Sequence, residues 1–288
     1  MVAALAATLL ISAPTRPLVE IGVLQGAGLP CARVHGIARS GSKWLVGGLQ
    51  GLFLGQKGDW KRVSQQAVRQ IVKLKGDCWV LYGGGSVDKV VLSSDRLYYD
   101  VFQDGVKRPF ASSLAVEGST LLCGSLGGWF ERGPRRSMER YLKEMGRQPV
   151  TALARTPTTT WLGTQNGLFI VRRGKTTRLG LGAGLPDPWI TALAPFGDSV
   201  LAGLSDGGLA LCKASAVRMV SSPSKSVRSL LSWKGLLVLG ALDGSWVRSG
   251  RNWFRLANSE CTCLTAVGSE LLVGTPTSVH RFSVAPKA

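Results

Sequence analysis

The stretch WLGTQNGLFIV at residues 161–171 contains an apolar run with a glycine step, then a polar turn, then a second apolar run. Six further stretches follow the same scheme: WLVGGLQGLFL (44–54), WVLYGGGSVDKVVL (79–92), LLCGSLGGWFE (121–131), VLAGLSDGGLAL (200–211), LVLGALDGSWV (237–247) and LLVGTPTSVHRF (271–282). Short apolar runs broken by glycine-rich turns are typical of β-strands, and helical periodicity is almost absent. The sequence therefore repeats one strand-turn-strand unit seven times.

The spacing of these units indicates the architecture. Their marker glycines recur at steps of 36, 41, 39, 40, 37 and 34 residues, and are Gly47, Gly83, Gly124, Gly163, Gly203, Gly240 and Gly274. Such a period, with four short strands per unit, is typical of propeller blades. We name the strands A to D from the inside out and place the glycine on B, where a missing side chain lets a neighbour approach closely. The predicted fold is all-β, a seven-bladed β-propeller.

The two ends of the chain complement each other. The last unit stops after three strands, whereas residues 17–24 have the pattern of a D strand without its own A, B and C. The GAGLP that follows at residues 26–30 recurs at residues 182–186, between a D strand and an A strand. We expect the N-terminal strand to complete the last blade and close the ring, which removes two exposed sheet edges. Residues 15–288 then form a single domain.

Residues 1–14 are apolar and end in small residues, with the length of a signal-peptide core and not of a membrane span. They predict export to the periplasm or secretion. No Lys or Arg precedes the apolar segment, so the alternative is an apolar tail on a cytoplasmic protein.

The six cysteines match no disulfide framework and no metal site. Cys78, Cys123, Cys212 and Cys263 are predicted to be small buried hydrophobic residues, because free cysteine is among the most buried residue types. Cys31 and Cys261 form the one pair worth testing for a disulfide. No cofactor and no metal are predicted.

One family resemblance runs through residues 17–284. GLPDPWITALAPFGDSVLAGLSDGGL at residues 184–209 resembles the two-component-regulator propeller repeat, and WLGTQNGLFIV is the most similar single copy. The resemblance implies a propeller that usually forms the periplasmic sensing part of a membrane histidine kinase. No transmembrane helix or kinase domain accompanies the repeats, so kinase activity is not expected. The Asp-Gly turns are weakly similar to quinoprotein and sialidase-type repeats, but the Ser-x-Asp-x-Gly-x-Thr-Trp box is missing.

Aligning the A strands places seven residues at one position around the channel mouth: His35, Arg69, Ser112, Thr151, Thr191, Arg228 and Thr262. We call this set the polar ring. The candidate ligand-binding residues at the mouth are Arg33, His35, Arg69, Asp187, Trp189 and Arg228. Their functional interpretation is a pocket for an anionic or carbohydrate ligand, with Trp189 as a stacking surface. The alternative is a solvated channel wall.

The formal net charge of +18 is the second chemical signal. Many basic residues fall in the C-to-D hairpins, which we expect on the face opposite the mouth or on the outer rim of the propeller. The candidate residues for an anionic partner, which we call the basic rim, are Arg132, Arg135, Arg136, Arg172, Arg173, Lys175, Arg248 and Arg251; Lys57 belongs to the same type of hairpin. Such a surface predicts an anionic polymer, a lipid surface or a protein as the partner. Nucleic acid is less favoured, because no aromatic-interleaved basic strip accompanies the charge. A role in solubility is the alternative.

The sequence favours a non-enzymatic ligand-binding or protein-interaction propeller. It holds two histidines and none of the common nucleophile, phosphate-loop or metalloprotease motifs. Two alternatives stay open: a propeller-type enzyme, a lyase or glycan hydrolase, with its site at the channel mouth, and a structural protein of an envelope assembly.

Overall fold

The computed structural model describes residues 16–25, 28–56, 59–99, 110–132 and 137–285. In these residues, 28 strands form seven four-stranded antiparallel sheets. The inner strands of consecutive sheets pack side by side, and the inner strand of the last sheet packs against that of the first. The predicted seven-bladed propeller is confirmed. Residues 1–14, Lys57, Arg135 and Arg136 lie outside the described residues.

Strands A to D of the first four blades follow one another along the chain. Blade 1 contains β2 (Gly36–Ser40), β3 (Lys43–Gly48), β4 (Gly51–Gln56) and β5 (Asp59–Ser64). Blade 2 contains β6 (Val68–Leu74), β7 (Asp77–Tyr82), β8 (Val87–Val91) and β9 (Arg96–Tyr98). Blade 3 contains β10 (Ala111–Glu117), β11 (Thr120–Ser125), β12 (Gly128–Arg132) and β13 (Ser137–Tyr141). Blade 4 contains β14 (Ala152–Thr156), β15 (Thr159–Thr164), β16 (Gly167–Arg172) and β17 (Lys175–Leu179).

The remaining blades keep this order until the ring closes. Blade 5 contains β18 (Ile190–Phe196), β19 (Ser199–Leu204), β20 (Leu209–Lys213) and β21 (Ala216–Val220). Blade 6 contains β22 (Val227–Trp233), β23 (Leu236–Ala241), β24 (Gly244–Ser249) and β25 (Asn252–Ala257). Blade 7 contains β26 (Cys263–Val267), β27 (Glu270–Gly274) and β28 (Ser278–Val284), with β1 (Leu18–Gln25) as its outer strand. Short 3₁₀ helices at Lys143–Met145 and Leu181–Ala183 lie in D-to-A loops.

The ring closes as the sequence predicts. Strand β1 pairs antiparallel with β28, from Leu18 opposite Val284 to Gln25 opposite Ser278. The first described strand thus supplies the fourth strand of the last blade, and the backbone groups along the outer side of β28 are paired. The closing strand leaves the side chains of Val19, Ile21 and Val23 exposed on its outer surface.

The glycine step on strand B has a packing reason at six of the seven marker positions. A Cβ added to Gly203 would lie 2.5 Å from a methyl carbon of Val227, at the start of the next inner strand. Gly47, Gly124, Gly163 and Gly240 meet the equivalent side chain of the next blade at 2.3–2.7 Å, whereas Gly274 meets Cys263 of its own blade at 2.6 Å and the carbonyl oxygen of Val34 at 3.0 Å. Glycine is therefore needed where a blade receives the first side chain of its neighbour.

Blade 2 departs from this rule, and the assignment of Gly83 as its marker glycine is wrong. The register pairs Gln70 with Leu81, as it pairs Ala192 with Gly203 in blade 5, so the B-strand position in blade 2 belongs to Leu81. Gly83 lies in the following B-to-C turn. Leu81 fits because the next inner strand begins with Ala111 in place of a β-branched residue, and both side chains are buried in one cluster. The volume lost at Ala111 accommodates the leucine.

The hydrophobic core lies between the blades. One buried cluster joins Trp161 and Leu168 of blade 4 to Ile190 and Val200 of blade 5. Because each blade buries its face against the next, the rigid inner strands hold the channel wall in a fixed geometry.

All six cysteines are buried and free. The predicted burial of Cys78, Cys123, Cys212 and Cys263 is confirmed. Cys31 and Cys261 are both reduced, so the pair singled out in the sequence is not bridged in this structure.

Candidate functional site

The inner strands enclose a central cavity of about 600 Å³. All seven members of the polar ring line it, so the alignment of the A strands is confirmed at every blade: His35, Arg69, Ser112, Thr151, Thr191, Arg228 and Thr262. Each ring residue lies immediately before or at the start of its inner strand, on the face that carries the D-to-A and B-to-C loops. We call this end of the cavity the channel mouth.

Five ring side chains connect neighbouring blades. Each forms a hydrogen bond with the carbonyl of the residue that precedes the next ring member. The pairs are His35 with Val68, Ser112 with Val150, Thr151 with Ile190, Thr191 with Val227, and Thr262 with Val34, at 2.5–3.0 Å. These bonds satisfy carbonyls at the inner edge of each sheet, which have no strand partner on that side. Most of the ring is thus a structural belt.

The two arginines of the polar ring do not form this hydrogen bond to the next blade. Arg69 of blade 2 and Arg228 of blade 6 are exposed, and neither guanidinium has a hydrogen-bond or ion-pair partner among the described residues. Each is the additional residue of a β-bulge, between Val68 and Gln70 or between Val227 and Ser229. Ser112 and Thr191 occupy the same bulge in blades 3 and 5 and still bond the next blade, so the unpaired guanidinium, and not the bulge, sets these two positions apart. The two arginines therefore present free N–H donors at the mouth, three blades apart in a ring of seven.

The residues that follow these arginines take over the contact with the next blade. Gln70 donates from its amide to the carbonyl of Leu114 and accepts from the N–H of the same residue, both at 2.8 Å. Ser229 lies 3.8 Å from the Sγ atom of Cys261, oxygen to sulfur. The junctions after blades 2 and 6 are thus held without the ring side chain, which explains how both positions tolerate arginine.

Only part of the predicted mouth set lines the cavity: His35, Arg69 and Arg228 do so, and Arg33, Asp187 and Trp189 lie outside it. Arg33 forms an ion pair with Glu260 at 2.8 Å. Asp187 accepts the backbone N–H groups of Trp189 (2.9 Å) and Asp206 (2.6 Å), so its carboxylate shapes a turn. Trp189 is 40% exposed on the loop face. The ligand-binding role of these residues stays a prediction.

The orientation of His35 follows from its hydrogen bond. Its Nδ1 atom lies 3.0 Å from the carbonyl of Val68 and must donate, since a carbonyl only accepts. In the neutral imidazole, Nε2 then carries the lone pair. The side chain is half-buried, and its position in blade 1 places it next to Arg69 around the ring.

The basic rim lies at the opposite end. Arg172, Arg173 and Lys175 are exposed around one tight turn of blade 4, where Arg173 and Gly174 both have positive φ. The guanidinium carbon of Arg248, in blade 6, lies 5.9 Å from the ring centre of Trp253. That of Arg132, in blade 3, lies 5.6 Å from the ring centre of Trp79. Arg251 is exposed. The described rim residues thus share one face, and their role with an anionic partner stays a prediction.

A hydrogen-bonded Ser-His-Glu chain, not foreseen in the sequence, joins the first and last strands. Ser278 Oγ lies 3.0 Å from His280 Nε2, and His280 Nδ1 lies 2.6 Å from a carboxylate oxygen of Glu20. The order resembles a hydrolase relay, but Ser278 is 7% exposed, also bonds the hydroxyl of Thr275 at 2.7 Å, and lies outside the channel cavity. We interpret the chain as a link that holds the closing strand.

The described residues contain no group of three or more His, Cys, Asp or Glu side chains placed to hold a metal ion. In the same part of the chain, no helix combines the length and apolar character that crossing a bilayer requires. Burial raises the pKa of the Cys31 thiol to about 11 and of the Cys212 thiol to about 12, so both are protonated and weakly nucleophilic at neutral pH.

No protein-family model matches the sequence, and no curated protein matches it. Solved structures share the fold at low identity. The extracellular domain of the putative hybrid two component system BT3049 from B. thetaiotaomicron has a TM-score of 0.70 at 13% identity, over 90% of this chain and 41% of that one. The WD40 propeller domain of Doa1 has a TM-score of 0.67 at 14% identity, over 92% and 96%.

PorZ, a surface component of the type-IX secretion system of Porphyromonas gingivalis, has a TM-score of 0.65 at 14% identity, over 92% of this chain and 40% of that one. The chain thus spans about two fifths of PorZ and of the BT3049 chain. At these identities the likeness establishes the fold, and the protein is a seven-bladed β-propeller. The resemblance to the two-component-regulator repeat is confirmed at the level of fold, and membership of that family stays a prediction.

Proposed function

We propose that the protein is a non-enzymatic binding module that holds an anionic ligand group at the channel mouth, between Arg69 and Arg228. The observation that carries this proposal is the division of the polar ring. Five side chains connect the blades, while two guanidinium groups face the same cavity without a partner among the described residues. Free arginines that the fold does not use are available for a ligand.

The chemistry of the two groups favours an anion. A guanidinium presents its donors in a planar fork that matches a carboxylate or a phosphate, and these charge-assisted bonds are among the strongest in proteins. A concave site that concentrates one sign of charge also raises the local concentration of oppositely charged ligands. Two carboxylates on the mouth face are engaged elsewhere: Glu260 pairs with Arg33, and Asp187 accepts backbone N–H groups.

Two further observations support binding over catalysis. General acid-base or nucleophilic catalysis needs a nucleophile within reach of a base. The hydroxyl of Ser112 and the Nδ1 atom of His35 both bond to carbonyls of the next blade. The polar groups of the ring therefore stabilise the propeller, and the two arginines are left to hold a ligand.

The test is calorimetric titration of the full chain with acetate, inorganic phosphate and citrate. We expect the Arg69→Gln/Arg228→Gln variant to bind at least about tenfold more weakly, since each hydrogen bond to a charged group is worth roughly 1.5–3 kcal/mol. The matched control is Arg172→Gln/Arg173→Gln, which removes the same two charges from the rim. Equal weakening in both variants would show that only net charge matters, and binding of none of the three anions by the wild-type protein would also contradict the proposal.

The basic rim supports a second candidate function, attachment to an anionic polymer or lipid surface. Arg172, Arg173 and Lys175 are exposed on one turn, without an ion-pair partner among the described residues. The triple replacement by Gln should weaken binding to heparin and to anionic vesicles, and should reduce the salt dependence in proportion to the lost charges. Unchanged binding would exclude this hairpin as the contact.

A further inference from the structure

The cavity lining becomes aliphatic two residues below the polar ring. Two residues further along six of the inner strands, the cavity is lined by aliphatic side chains, which we call the aliphatic ring: Ile71, Leu114, Leu153, Leu193, Leu230 and Leu264. Leu193, Leu230 and Leu264 are only half-buried, so part of their apolar surface faces the channel. The seventh equivalent residue, Ile37, is fully buried. The aliphatic ring thus forms an apolar collar beneath the two free arginines, separated from the polar ring by one layer of lining residues that includes Gln70, Ser113 and Ser229.

The far end of the cavity is polar again and carries the opposite charge. Glu117, at the end of the inner strand of blade 3, is exposed and has no ion-pair partner among the described residues. Arg155 lines the same end, but its guanidinium is paired with Glu131. Within the cavity lining, the unpaired charges are thus basic at the mouth and acidic at the far end, whereas the basic rim lies outside this lining on the C-to-D hairpins.

We propose that the ligand is a small amphiphilic anion, a carboxylate on a saturated aliphatic chain. Its head group binds between Arg69 and Arg228, and its chain lies against the aliphatic ring. This inference rests on the proposed function and names its ligand class. The cavity volume of about 600 Å³ falls in the range of small-molecule sites.

The order of the two rings argues against a purely polar anion. A polyvalent anion such as citrate pairs with the arginines but leaves the half-buried leucines in contact with water or with its own polar groups. A chain attached to the head group removes that apolar surface from water, and this burial is favourable in proportion to its area. The site therefore gains affinity from a chain only if the chain enters the collar.

The test is a chain-length series on the full wild-type protein: acetate, butyrate, hexanoate and octanoate, each below its micelle concentration, followed by calorimetry. We expect the dissociation constant to fall by up to about fourfold for each added methylene. Octyltrimethylammonium, which carries a similar chain and the opposite charge, should not bind. Arg69→Gln/Arg228→Gln should weaken octanoate binding at least about tenfold.

Single variants Leu193→Asn and Leu230→Asn test the collar. Each should reduce the gain in affinity per added methylene relative to the wild-type protein, with folding checked by circular dichroism. If either variant fails to fold, the chain-length series on the wild-type protein still shows whether an aliphatic chain adds affinity. Equal affinity for acetate and octanoate would overturn this inference and leave the proposed anion site intact. Binding of none of the carboxylates, phosphate or citrate would overturn both, and equal binding of octanoate and octyltrimethylammonium would also contradict both.

Discussion

The hydroxyl of Thr191 in blade 5 donates to the carbonyl of Val227 in blade 6, 2.7 Å away. Replacing Thr191 with Val keeps the shape of the side chain but leaves that carbonyl without its donor. We expect Thr191→Val to lower the free energy of unfolding by about 1–3 kcal/mol, measured by urea denaturation. Thr191→Ser keeps the hydroxyl and should lose much less. A Val variant as stable as the wild type would show that the belt contributes nothing to stability.

Replacing the arginine at the equivalent ring position should not destabilise the protein, in contrast to the replacement of Thr191. In blade 6 the residue equivalent to Thr191 is Arg228, whose guanidinium has no partner among the described residues. Arg228→Thr introduces a hydroxyl next to the carbonyl of Cys261 in blade 7, the equivalent of the Val227 carbonyl. We expect stability to stay unchanged or to rise by about 1 kcal/mol, while anion binding weakens. A marked loss of stability would mean that the arginine supports the fold.

The close approach between blades predicts a strong response to one methyl group. A Cβ at residue 203 would lie 2.5 Å from Val227 Cγ1, so Gly203→Ala should destabilise the protein by roughly 1–3 kcal/mol through overpacking. Gly182→Ala is the matched control, because nothing lies within 4 Å of its added Cβ. Adding Val227→Ala to Gly203→Ala should recover part of the loss, as Leu81 and Ala111 coexist at the junction of blades 2 and 3. No recovery would argue against direct contact as the cause.

Acid should destabilise the propeller through Glu131. Burial raises the pKa of Glu131, but hydrogen bonds from Arg155 and Trp129 outweigh it and hold the pKa below its usual value of 4.5. A carboxyl group with a lowered pKa in the folded state adds stability that is complete above the unfolded pKa and lost as the pH falls through the folded value. We expect the unfolding free energy to decline below about pH 4.5. Glu131→Gln should reduce that slope, and an unchanged slope would exclude this pair as a contributor.

The buried thiols should be unreactive in the folded protein. Burial is the main reason that the pKa values of Cys78 and Cys261 rise to about 12, so almost no thiolate forms at pH 8. We expect Ellman's reagent to modify the native protein far more slowly than the urea-unfolded protein, which should show six thiols per chain. Fast modification of native protein, or fewer than six thiols after unfolding without a reductant, would contradict the structure.

The fold could be predicted from the sequence because one strand-turn-strand pattern is repeated along it. A short segment leaves strand and helix undecided, but seven copies of one strand-turn-strand pattern define the blades and the channel position in each. The same alignment located the polar ring and the closing strand, because both depend on the period along the chain. It failed at Gly83, where three consecutive glycines hid the B-strand position that Leu81 occupies. The signal for the correct register was Ala111, because a small residue at the start of the next inner strand leaves room for a leucine.

By itself the sequence determined seven blades, a ring closed by the N-terminal strand, and the residue types around the channel. Only the tertiary structure decided which of those residues are free. The partner of Thr191 is a backbone carbonyl in another blade, and every residue has a carbonyl, so no pattern of side chains reveals that bond. Likewise the ion pair of Arg33 with Glu260 joins residues 227 positions apart, across the closure of the ring. Arg69 and Arg228 are distinguished as a candidate site because the neighbouring blade does not use them, and that depends on geometry across the blades.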